Sequence, residues 1–127
     1  MIFRTLLISL FLLLPLKADD RWTKTEITLE VAYQLALFVD WKQTSEFHRS
    51  TIYYPDGSTY TIHERNWLLG ENPKQSAINI ACLVSSLGHL WISHMLGHDR
   101  IVWQTATLSI ELLVVNNNFN AGVKIRW

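Results

Sequence analysis

Between Ser76 and Gly97 the chain carries no Lys, Arg, Asp or Glu, and within that stretch Asn79, Cys82, Ser86, His89 and Ser93 recur at spacings of three and four. This spacing places all five on one face of a helix, and the stretch is long enough to cross a hydrocarbon layer of about 30 Å. A seam of such polarity is costly in lipid, so the helix demands partners that cover it. Two other segments repeat the device, with Glu26, Glu30, Tyr33, Leu37, Asp40 and Thr44 sharing one face and Gln104, Thr107, Glu111 and Asn118 another. The pattern predicts an all-α membrane helical bundle of three helices around a polar interior.

Capping and turn residues set the boundaries. Thr23 or Thr25 can cap a first helix from Glu26 to about Thr44, with Trp22 and Trp41 spaced to meet two membrane interfaces. A second helix starts near Pro73 or Ser76 and stops at Gly97. Asp99 then caps a third, from about Arg100 to Asn118. So short a connection predicts that the second and third helices are antiparallel neighbours. Between the first two helices, Thr51 to Tyr54 and Thr59 to Ile62 flank Pro55-Asp56-Gly57-Ser58, which predicts an extramembrane β-hairpin at 51–62. After Gly122 the alternation from Val123 to Trp127 reads as a short strand able to extend that hairpin.

Composition then adds a compartment. Arg4, the apolar run Leu6 to Leu16 and Lys17-Ala18 read as a signal peptide or N-terminal anchor over residues 1–18, leaving 19–127 as a single helical-bundle domain. Only 17% of the 127 residues are charged, against roughly 25% in soluble domains. The net charge of zero leaves no electrostatic footprint for nucleic acid. The expected partners are the lipid bilayer and a membrane protein or second copy. With the N-terminus inside, seven basic residues fall on the cytoplasmic side (Arg4, Lys42, Arg49, Arg65, Lys74, Lys124, Arg126) and four outside (Lys17, Arg21, Lys24, Arg100). That bias predicts the inner (cytoplasmic) membrane, the mature N-terminus outside and the C-terminus inside.

Laying the three helices side by side turns the stripes into two polar layers. Glu30, Tyr33, His89, Thr107 and Glu111 should lie at one depth. Asp40, Thr44, Glu64, Asn66, Asn79 and Asn118 should lie together near the cytoplasmic end. Such groups either bridge helices, at about 1 kcal/mol or less per hydrogen bond, or handle protons or metal through His89 and Glu111. Bridging is the favoured expectation, because no helix turn offers two metal ligands at that depth and no cofactor motif is present. His63-Glu64 begins like a zinc-protease motif, but Trp67 stands where the second histidine belongs. Ser85 and Ser86 near His89 lack the glycine-flanked elbow of a nucleophile, and Cys82 reads as a core thiol, so no catalytic residue is expected. The functional expectation is a small polytopic integral membrane protein, non-enzymatic, acting through packing or partner binding. Its alternatives are an exported soluble helical domain after signal removal and a membrane enzyme or proton/metal site.

The run Asp40-Trp41-Lys42-Gln43-Thr44, followed by Glu64-Arg65-Asn66-Trp67-Leu68-Leu69-Gly70, Pro73, Trp103-Gln104, Glu111 and Asn118 to Gly122, resembles a loose set of small bacterial and phage membrane proteins. Here Trp67 replaces a usual proline and Lys42 a frequent glycine. The resemblance implies a multi-helix membrane protein and transfers no activity.

Overall fold

Thr23 and Glu26 close a reciprocal capping box. The Thr23 N–H donates to Oε2 of Glu26 at 2.6 Å, and the Glu26 N–H donates to Oγ1 of Thr23 at 3.3 Å. This satisfies two backbone donors that a helix start leaves orphaned, and it launches α1, Lys24–Glu46. A computed structural model describes residues 21–47, 51–64, 68–70 and 72–126; the segment 1–18 and Asn66 lie outside them. Within these residues the chain is mostly helical, with three α-helices and a small two-stranded antiparallel sheet. After α1 come β1, Thr51–Tyr53, and β2, Thr59–Thr61, then α2, Gln75–Met95, a 3-10 turn over Gly97–Asp99, and α3, Arg100–Asn120.

Two of these starts differ from expectation. Lys74 occupies the cap position of α2 and Asp99 that of α3, and neither side chain makes a capping hydrogen bond. Asp99 belongs to the 3-10 turn that runs directly into α3, so its backbone is already helical and its side chain has no free first-turn N–H to receive.

The hairpin pairs Ile52 with Tyr60 and Tyr53 with Thr59. Its loop is Pro55-Asp56-Gly57. The Gly57 N–H donates to the Tyr54 carbonyl at 3.0 Å, and the Tyr54 N–H to the Ser58 carbonyl at 2.9 Å. Gly57 takes φ +84°, which only glycine adopts at no steric cost. Asp56 Oδ1 accepts from both the hydroxyl and the N–H of Ser58, at 2.6 and 2.9 Å. Those bonds, the hydroxyl's first, hold the exposed Asp56 carboxyl below its ordinary range.

The C-terminal segment does not form the expected third strand. The Val123 N–H donates to the Asn118 carbonyl at 3.1 Å and the Gly122 N–H to the Phe119 carbonyl at 2.9 Å, with Gly122 at φ +90°. This is the paired capping pattern that ends a helix on a left-handed glycine. It consumes the N–H that a strand would need. Val123 instead buries its side chain with Phe47, Ile62 and Ile52 in a small apolar cluster at the hairpin's base.

Packing centres on α1, which contacts α3 most extensively and α2 less, while α2 and α3 touch each other least despite their short connection. α2 and α3 do meet directly, through His89 with Trp103 and Thr107, but α1 packs more extensively against each of them than they do against one another. The largest fully buried side chains are Arg100, Gln43, Gln104, Val123 and Ser93, of which four are polar. Large aliphatic residues line the outside, among them Val84 at 64% and Val102 at 68% exposure. Among the described residues one helix, Gln75–Met95, is long and apolar enough to cross a membrane, and only 17% of its most apolar stretch is buried.

Gly57→Val should destabilise the hairpin by roughly 1–2 kcal/mol, since a β-branched residue resists positive φ, whereas Ser58→Val removes one exposed hydroxyl contact and should cost about 0.5 kcal/mol. Hydrogen exchange at the Tyr54 amide reads the difference. Equal exchange in the two variants would mean that the left-handed turn contributes nothing.

Candidate functional site

Glu30 and Tyr33 lie about one turn apart on the buried face of α1. The Glu30 carboxylate receives four side-chain donors. Gln34 Nε2 and His89 Nδ1 reach Oε1 at 2.8 and 3.0 Å, and Gln104 Nε2 and Ser93 Oγ reach Oε2 at 3.1 and 3.2 Å. Each of the three helices contributes, so one anion organises the whole cross-section. A carboxylate with two oxygens accepts about four such bonds, and this one is saturated. Gln34 carries the network outwards, accepting from Ser86 Oγ at 2.6 Å and donating to the Ser86 carbonyl at 3.3 Å.

His89 is fixed on every side. Its ring stacks on Tyr33 with centroids 3.6 Å apart and on Trp103 at 5.4 Å, and Nε2 lies 2.7 Å from Oγ1 of Thr107. That hydroxyl also lies 2.8 Å from the Trp103 carbonyl. Thr107 has a single proton to donate, so two arrangements are open. Given to the carbonyl, it requires Nε2 to donate and the ring to be cationic; given to Nε2, it leaves the ring neutral with its proton on Nδ1.

Arg100 fastens one end of the bundle. It is 1% exposed. Its Nε donates to the Ser93 carbonyl at 2.6 Å, which occupies one of the carbonyls left free at the end of α2. Nη1 lies 3.3 Å from Oε2 of Glu26, and the guanidinium carbon sits 4.5 Å from the centre of the Trp22 ring. The start of α1, the end of α2 and the start of α3 therefore meet at one cation.

A second polar layer lies further along α1. Asn118 Nδ2 donates to Asp40 Oδ1 at 3.0 Å and to Gln43 Oε1 at 3.1 Å, and Gln43 Nε2 donates to the Val115 carbonyl at 3.1 Å. Asn79 belongs to a separate surface chain. Its Oδ1 accepts from Trp41 Nε1 at 2.9 Å and Gln75 Nε2 at 2.8 Å, and Gln75 also reaches Ser45 Oγ at 3.0 Å. Beside this layer, beneath the hairpin, a partly open cavity of about 610 Å³ is lined by Asp40, Thr44, Glu64, Glu111, Asn118, Tyr33, Ser85 and His63, with apolar walls from Leu37, Phe47, Ile52, Ile62 and Val114.

The geometry joins Glu30, Tyr33, His89 and Thr107 in one network. Glu111 stands apart from it: His89 takes its carboxylate from Glu30, while Glu111 lines the cavity with a buried Oε1 that has no partner among the described residues. The cavity gathers Asp40, Thr44, Glu64 and Asn118, but not Asn79. Cys82 is a partly buried free thiol. Ser86 bonds Gln34, while His89 bonds Glu30 and Thr107 and has the Ser93 hydroxyl 3.5 Å from Nδ1. Among the described residues no group of His, Cys, Asp and Glu has the geometry of a metal site.

Sequence reasoning missed Arg100, Gln43 and Gln34. Arg100 stands at the start of the third helix, where a charge is unremarkable, yet Arg100, Gln104, Thr107 and Glu111 continue one stripe by a further turn. No family model, curated protein or solved structure matches the chain. Function therefore rests on the geometry of these sites.

The two carboxylates should respond differently to the same isosteric change. Glu30→Gln turns one acceptor oxygen into a donor facing other donors and should cost about 2 kcal/mol or more, whereas Glu111→Gln should cost under about 1 kcal/mol. Thermal unfolding measures both. The reverse ranking would remove Glu30 from the centre of the bundle.

Proposed function

We propose that this chain is a small polytopic integral membrane protein that works by binding a ligand or partner rather than by catalysing a reaction. Residues 1–18 then serve as export signal or anchor. The mature N-terminus lies outside, and the hairpin and C-terminus lie on the cytoplasmic side of the inner membrane.

The observation that carries this reading is the inversion of polarity across the helices. Arg100, Gln43, Gln104 and Ser93 are fully buried, while Ile27, Val31, Leu35, Val84, Val102, Ile110 and Leu113 are exposed on all three helices. A water-soluble bundle does the opposite, hiding its aliphatic stripe and hydrating its polar face. In lipid the arrangement is favourable, because polar groups must find partners inside the protein and aliphatic groups are solvated outside it. Among the described residues, only Gln75–Met95 is apolar enough to span on composition alone. The reading has α1 and α3 span with it because Glu30, Asp40 and Gln104 hydrogen-bond within the bundle.

Binding is favoured over catalysis by how the polar groups are used. Both ring nitrogens of His89 are engaged within the network, and Glu30 is saturated. These residues act as glue between helices. The cavity beneath the hairpin is different, since it holds carboxylates and hydroxyls on a partly open surface.

Two measurements test membrane residence. After cell fractionation the protein should remain in the pellet through a carbonate wash; release into the wash would reject the reading. Val84→Arg, placed near the middle of α2, should cost about 3 kcal/mol for insertion and deplete the protein from the membrane fraction. On a soluble domain, an arginine at that exposed position would be close to neutral.

A further inference from the structure

The cavity beneath the hairpin has polar groups that the protein itself leaves unused. Tyr33 and Thr44 are 8% and 6% exposed, so both are more than nine-tenths buried, and both line the cavity. Neither hydroxyl forms a hydrogen bond among the described residues. Oε1 of Glu111 is buried there without a partner as well. Buried polar groups are nearly always hydrogen-bonded in folded proteins, so the orphaned Glu111 oxygen, beside two unbonded hydroxyls whose oxygens stay open to the same space, points to an occupant that bonds them.

Charge and size define that occupant. Asp40 and Glu111 face the cavity, and its described lining holds His63 but no Lys or Arg. The bond that Asp40 receives from Asn118 comes from a neutral amide, which leaves its charge uncompensated. The complement is a cation. No group of acidic or histidine side chains among the described residues has metal-site geometry. The volume of about 610 Å³ suits a small molecule rather than a bare ion. Leu37, Ile52 and Val114 supply apolar wall, while Tyr54 and Tyr60 add aromatic rings able to face a positive charge.

We infer that the cavity binds a compact organic ammonium compound, its charged head between Asp40 and Glu111 and its apolar stem against the aliphatic wall. This rests on the reading of the protein as one that binds. An ammonium group has three N–H donors, and the two carboxylates with the Thr44 and Tyr33 hydroxyls offer acceptors for all of them. Low dielectric beside a bilayer strengthens such pairing. The group can belong to a soluble amine or to the head of an aminophospholipid.

Isothermal titration of the full-length protein in an uncharged detergent, with phenethylammonium, 2-phenylethanol and phenylacetate as probes, tests the inference. The ammonium probe should bind saturably and at least tenfold more tightly than the neutral and anionic ones. Asp40→Asn and Glu111→Gln should each weaken it at least tenfold while helix content and melting temperature stay near those of the parent. Equal affinity for the ammonium and the alcohol on the unmodified protein would overturn the inference, as would undiminished affinity in the folded double variant. Repeating the titration in phosphatidylglycerol bilayers with and without phosphatidylethanolamine separates the sources. Competition by the ethanolamine lipid assigns the site to a head group, and its absence, with the probe still bound, assigns it to a soluble amine. A protein released by carbonate that keeps its ammonium preference would reject membrane residence alone. A membrane-resident protein without that preference would reject only the ammonium.

Discussion

One buried carboxylate sets the terms for the rest of the structure. Glu30 sits on the inner face of α1, and an ionised group withdrawn from water must be compensated by charge-assisted hydrogen bonds or not be there at all. His89 and Ser93 from α2 and Gln104 from α3 provide that compensation, together with Gln34 from α1 itself. The axial position of each helix follows from bringing its donor within about 3 Å of the same two oxygens. Stacking of Tyr33, His89 and Trp103 then fills the space around the bonds with ring surface.

This arrangement reverses the usual division of labour in a small helical domain. Buried apolar side chains are few among the described residues, a cluster of Phe47, Ile62 and Val123 at the base of the hairpin with Tyr33, Ala36, Leu37 and Ile78 on the helices, too little to hold three long helices together by burial alone. Cohesion between the helices comes from hydrogen bonds, the Arg100 to Glu26 contact and close packing. Each bond contributes about 1 kcal/mol net, so many are needed.

The two polar layers differ in how they use their carboxylates, one closed off by four donors and the other facing a partly open cavity, and that difference separates architecture from site. Around Glu30 four donors close on one carboxylate, while Gln104 Oε1 and Trp103 Nε1 beside it have no partner among the described residues. Around Asp40 and Glu111 the helices part beneath the hairpin, hydroxyls go unused and the surface opens. A saturated carboxylate rigidifies a fold, while an unsaturated one is available to something else. The Glu30 layer and the Arg100 contact stabilise the bundle, and that support tolerates like charges lining one cavity.

Periodicity alone made the helices, their inner faces and the hairpin legible. Spacings of three and four identify which residues share a face, and Pro55-Asp56-Gly57 between β-branched and aromatic runs identifies the turn. Grouping by depth also brought Glu30 and Tyr33 to His89 and Thr107, because antiparallel helices of known rise fix depth to within about a turn. A turn is also the limit of that resolution. Glu30 and Glu111 both fell within reach of His89 on sequence, and only the crossing of α1 with α3 decided that Glu30 bonds it while Glu111 turns to the cavity. Tertiary packing likewise drew Arg100 from the helix end into the interior, because the end of α2 offered a free carbonyl and Glu26 an anion. It also used the Val123 N–H to cap α3, where alternation alone suggested a strand. Which face a residue occupies is a local property of the backbone; which partner it meets depends on contacts between segments far apart in sequence.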